Sequence, residues 1–174
     1  MLKKIKDALL GLFAWAVLVS IIPGCTYFNL KSNSVYYAQH TPHKEGCEPA
    51  LMMLVDNLWW ISTPAIEGIT YEFDGGMSIH NYNYRAEDVP WFAGWGEEEY
   101  IYGSSELVLF AFNKKFELVY VDDKYKGSID SQSIDVKKVK KEIYKVVQPV
   151  IDAQSKPWIN LRWLFDIVYH DRFN

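Results

Sequence analysis

The sequence predicts an α+β fold, an antiparallel sheet of at least four strands in two hairpins, packed with one to three helices. Three observations carry this expectation: two pairs of β-rich segments flank short turns, one stretch repeats apolar residues at helical spacing, and no repeat or low-complexity linker divides the chain. The elements follow in order. A short helix is expected over Glu48 to Trp60, where EPALMMLVDNLWW holds good helix formers, Pro49 suits a first turn and Thr63-Pro64 limits the end. Ile69 to Phe73 and Met77 to Tyr84 form a hairpin around Asp74-Gly75-Gly76, whose glycines supply the positive φ of a tight turn. A second hairpin pairs Glu106 to Phe112 with Phe116 to Val121 through Asn113-Lys114-Lys115.

From Val136 the period changes. Val136, Val139, Ile143, Val146, Val147 and Val150 recur at helical spacing after Asp135, a suitable N-cap, and Lys137, Lys138, Lys140, Lys141 and Lys145 fall off that stripe as a solvated face. Pro149 should kink or end this helix. The tail, 158–173, fits two periods: Leu161, Trp163, Phe165, Ile167 and Tyr169 alternate as in a strand, whereas Trp158, Leu161, Phe165 and Val168 match a helix. Periodicity leaves both open.

The start of the chain has a different character. Lys3, Lys4 and Lys6 precede an uncharged run from Ala8 to Ile22, and Ile21-Ile22-Pro23-Gly24-Cys25 follows. Fifteen residues of helix reach roughly 22 Å, short of the roughly 30 Å of a bilayer core, so the run is sized for export rather than for a permanent span. The segment 1–25 resembles a bacterial lipoprotein signal peptide with its lipobox, Ile22 and Gly24 standing in the positions before the cysteine. That resemblance implies removal of residues 1–24 and a lipid on Cys25, with palmitate among its acyl chains. It implies a place in the cell envelope, facing outside the cytoplasm. Thr26 lacks the aspartate that retains such proteins at an inner membrane, which favours an outer membrane where a cell has two. The alternative is an uncleaved signal anchor in which Cys25 is unmodified or pairs with Cys47. Residues 25–43, a mixed stretch without a stable period, are expected to serve as the lipidated cysteine and its tether, and 44–174 as one domain.

Composition narrows the classes of function. Residues 1–24 hold three lysines and one aspartate, so 15 of 18 basic and 21 of 22 acidic residues remain, a formal charge of −6. An acidic body argues against nucleic acid as a partner. With only two cysteines there is no disulfide framework, and Cys47 is expected as a buried thiol or an intermolecular one, burial being the commoner fate of a free cysteine. Seven tryptophans and 12 tyrosines suit a core with wet edges or a binding face.

Chemical motifs are few. His40, His43, Glu45, Cys47 and Glu48 are zinc-ligand types, with His80 or His170 as further candidates, but H-x2-H-x3-C matches no known ligand spacing, so neither metal nor cofactor is expected. No nucleophile elbow, H-E-x-x-H, phosphate loop or C-x-x-C occurs, and Gly103-Ser104 reads as a turn. Glu97 to Glu99 and Asp122-Asp123 read as solvated carboxylates. The most unusual segment is Trp91-Phe92-Ala93-Gly94-Trp95-Gly96 with Tyr100 and Tyr102 after it. Read as a glycine-loosened loop, it offers Trp91, Trp95, Tyr100 and Tyr102 as a partner-binding face with a negative rim. The expected function is therefore a lipid-anchored envelope protein, a non-enzymatic binding module for a basic protein or a glycan, with an immunity-type role as its sharper form. An envelope enzyme acting on cell wall or glycan through Asp or Glu residues is the alternative.

Overall fold

A computed structural model describes residues 2–73, 77–83, 90–95, 99–103, 108–113, 115–123 and 127–174. Among these residues five α-helices and seven strands follow one another: α1 (Leu2–Ser32), α2 (Ser34–Ala38), α3 (Pro49–Asp56), β1 (Ile69–Phe73), β2 (Met77–Asn81), β3 (Trp91–Trp95), β4 (Glu99–Gly103), β5 (Val108–Phe112), β6 (Leu118–Asp123), β7 (Gly127–Ile129), α4 (Val136–Asp152) and α5 (Arg162–Phe173). The strands form one antiparallel meander in chain order. The mixed helix and sheet class stands, and the sheet is wider than the two expected hairpins. Asp74-Gly75-Gly76 and Lys114, in the turns of those hairpins, lie outside the described residues.

Register sorts the sheet into two faces. Tyr71, Ile79, Phe92, Tyr102, Phe110, Val121 and Ile129 stand opposite one another in a row across all seven strands, and Thr70, His80, Trp91, Gly103, Leu109, Asp122 and Ser128 form the neighbouring row. Side chains in a strand alternate between faces, so the two rows belong to opposite sides. Ile79, Phe92 and Val121 are fully buried, and α3 and α4 pack over β2 and β3. The α4 stripe behaves as its spacing predicts: Val139, Ile143, Val146, Val147 and Val150 are buried. Asp135 caps the helix by accepting a hydrogen bond from the Lys138 amide.

Pro149 does not end α4, which continues to Asp152. A proline removes the amide that would bond the carbonyl four residues earlier. That carbonyl belongs to Lys145, and it accepts instead from Nδ2 of Asn81, a buried side chain at the end of β2. The sheet thus satisfies the group that the proline leaves open, at a contact between residues far apart in the chain. The tail resolves as the helix α5, with Phe165 and Phe173 buried. An ion pair from Arg172 to Asp56 and a Thr41 hydroxyl donating to Asp166 at 2.7 Å join α5 to its neighbours.

The stretch read as a tether is corrected. Leu30, Val35, Tyr37 and Ala38 belong to the hydrophobic core, so the folded body begins within a few residues of Cys25. Polar residues hid this: Asn29, Lys31, Ser32, Asn33 and Ser34 interrupt the apolar positions, and α2, five residues long, is too short to show a reliable period.

The segment Trp91 to Gly103 is corrected as well, since its described residues form β3 and β4 rather than a loop. Asp122 and Asp123, read as loop carboxylates, end β6. Ahead of β6, Phe116 adopts φ of 63°, the left-handed region that large side chains avoid. Its ring is fully buried and stacks on Phe112 at 4.7 Å, and the Asn113 side chain accepts from the amides of Lys115 and Glu117 to hold the turn.

Candidate functional site

Helix α1 sets the first feature of functional interest. Its stretch from Ile5 to Ser32 is long and apolar enough to cross a membrane, by length and composition, and the most apolar window buries nothing in the body. A signal sequence near an N-terminus has the same properties. At 1.5 Å per residue these 28 residues reach about 42 Å, so the helix outlasts the uncharged run that the sequence marks. It runs unbroken through Pro23 and Gly24 to an exposed Cys25. Cys47 is also free and half-buried, its thiol 3.8 Å from the Met52 sulfur and pushed up in pKa, chiefly by burial.

The foot of α1 is clamped into the body by a polar network. The Tyr37 hydroxyl donates to Asn29 Oδ1 at 2.7 Å and accepts from the Leu161 amide at 3.0 Å, while Asn29 Nδ2 donates to the Ile159 carbonyl at 3.1 Å. Burial raises the pKa of this phenol, partly offset by the Leu161 amide. The segment leading into α5 is therefore fixed against α1. It brings Pro157, Trp158 and Ile159 to a cleft shared with Gly24, Cys25 and Phe28. On the other flank Trp60 meets Tyr27 and Phe28 edge to face, with ring centroids at 6.1 and 5.8 Å. Trp158 is fully exposed and Trp60 43% exposed. Sequence reasoning missed both, because neither carries a motif: the network from Asn29 to Ile159 brings Trp158 to Cys25, and Trp60 reaches α1 through Tyr27 and Phe28.

Of the expected aromatic face, register sets Trp91 opposite Gly103, Trp95 opposite Glu99, Tyr100 opposite Gly94 and Tyr102 opposite Phe92. Trp91 is half-buried beside His80, their rings 6.4 Å apart, and His80 lies within 3.4 Å of Glu72. Glu97 and Glu98 of the expected rim lie outside the described residues, as do Ser104 and Ser105.

The histidine and cysteine cluster does not converge. His40 Nδ1 lies 2.8 Å from the Tyr36 carbonyl, His43 Nδ1 lies 2.9 Å from the Thr41 carbonyl, and Glu48 accepts from the Tyr144 hydroxyl. Burial and that carboxylate push the Tyr144 pKa well above its ordinary value. Among the described residues no group of three His, Cys, Asp or Glu side chains is placed to hold a metal ion. A cleft of about 390 Å³ beside Cys47 carries charges of both signs, Lys44, Lys115 and Lys140 against Glu45 and Glu117. Lys140, off the apolar stripe, lies 5.3 Å over the Phe116 ring.

No family model, curated protein or solved structure matches the chain.

Proposed function

We propose that the chain is an exported protein of the bacterial cell envelope, anchored by lipid on Cys25, whose body is a non-enzymatic binding module. The observation that carries this reading is the apolar stretch of α1, whose most apolar window is exposed, with Lys3, Lys4 and Lys6 at the start of the chain and the body joined just past Cys25. Removal of residues 1–24 would leave the foot of α1, with Leu30 and Asn29, still seated in the core. Thr26 after the cysteine favours an outer membrane where two are present.

The body would meet its partner, a basic protein or a glycan, with the face of the sheet opposite α3 and α4. Trp91 lies on that face beside His80, which is paired with Glu72, and Asp122 stands three strands away in the same row. Such a surface suits stacking together with charge-steered encounter. An immunity-type role is the sharper form of this reading. Growth with labelled palmitate should mark the protein, and Cys25→Ser should abolish the mark. A label that survives the substitution overturns the lipidation site.

A further inference from the structure

We infer that the end of the body around Cys25 is a membrane-contacting collar, in which Trp60, Trp158 and Ile159 sit in the headgroup layer of the bilayer that holds the N-terminus. The inference rests on the membrane anchorage proposed above and adds an orientation and a second contact with lipid. Its occupant is a phospholipid surface, and the continuity of the site with α1 argues for it.

The geometry leaves little room for a gap. Leu30, the first residue of the hydrophobic core, lies five helical steps beyond Cys25, a rise of about 7.5 Å. With so short a spacer the protein surface beside Cys25 lies at the depth of lipid headgroups, whether α1 is retained or its place is taken by acyl chains. The residues on that surface are those that the layer favours. Tryptophan combines a large apolar ring with one hydrogen-bond donor and concentrates at membrane interfaces. Trp158 is exposed completely, yet its backbone is fixed, because the next carbonyl, that of Ile159, accepts from Asn29 and the Leu161 amide donates to the Tyr37 hydroxyl. An indole held rigidly in solvent next to the anchor contributes nothing to the core. Trp60 flanks the other side of α1 through its contacts with Tyr27 and Phe28. Lys31, whose ammonium lies 5.9 Å over the Tyr27 ring, and exposed Lys156 supply positive charge near the same end, suited to anionic headgroups.

The test uses the full chain as Cys25→Ser, which keeps α1, in vesicles of phosphatidylethanolamine and phosphatidylglycerol containing lipids brominated either near the headgroup or deep in the acyl chain. Bromine quenches tryptophan fluorescence only at short range. Trp15, in the middle of the apolar stretch, reports on the anchor, and its deep quenching should vanish in Trp15→Phe. Shallow quenching should include a component that falls in Trp158→Phe and again in Trp60→Phe, both variants keeping the parent melting temperature. Unchanged shallow quenching in both variants, with Trp15 still quenched, overturns the collar alone. Absence of quenching from every tryptophan overturns the anchor and the collar together.

Discussion

Aromatic residues are sorted differently at the two ends of this molecule. Among the described residues, the fully buried rings over the sheet and beneath the helices are mostly phenylalanines: Phe92, Phe112, Phe116, Phe165 and Phe173. At the foot of α1 and along the start of α5 the exposed large rings include Trp60, Trp158 and Trp163. A phenylalanine has no polar atom to satisfy and gains from complete burial, whereas an indole carries an N–H that must find a partner or stay in contact with water or headgroups. The difference separates a region built for packing from one built for an interface. Tyr37 bridges the two, since it is fully buried near the interface and its hydroxyl is engaged by Asn29, Ile159 and Leu161.

The largest expected effect contrasts the two ends. Phe112→Ala should destabilise the protein by about 3–5 kcal/mol, as for other buried large aromatics, and Trp158→Ala by no more than about 0.5 kcal/mol. Denaturant titration of both variants decides it, and comparable losses would erase the distinction between packing and interface. A smaller effect probes the bridge: Tyr37→Phe keeps the ring and removes the hydroxyl, stranding Asn29 and the Leu161 amide, at an expected cost of about 1–3 kcal/mol. A neutral result in the same titration would mean that the network is dispensable and that the foot of α1 is held by apolar contacts alone.

The smallest effect concerns alkaline pH. Burial pushes the Tyr71 phenol from 10.0 up to about 12, and its hydroxyl donates to the Pro64 carbonyl at 2.9 Å. A pKa raised in the folded state means that the unfolded chain loses this proton first, so the stability tied to it is complete below pH 10 and is lost as pH rises towards 12. Tyr71→Phe should flatten part of the fall in melting temperature over that window. An identical pH dependence in wild type and variant would remove Tyr71 as a contributor.

Much of the fold is legible locally. The strands β1, β2, β5 and β6 and the helix α4 follow from alternation or helical spacing within each segment, because a half-buried element writes its period into consecutive residues. The export-like start is legible for the same reason, since charge, apolar length and a cysteine lie side by side. Two stretches resisted. In β3 and β4, glycines and a run of glutamates resemble a loop, and strand pairing with β2 and β5 supplies the order that composition withholds.

The sequence by itself therefore determined the fold class, the α4 stripe and the apolar start. Tertiary structure alone decided how α4 survives Pro149, that residues 29–38 join the core, and that Trp158 comes to lie beside Cys25 and Trp60 against Tyr27 and Phe28. The physical reason is range. Asn81 reaches Lys145 and Asn29 reaches Ile159 across 64 and 130 positions, and no local pattern encodes a hydrogen bond whose partner lies in another element.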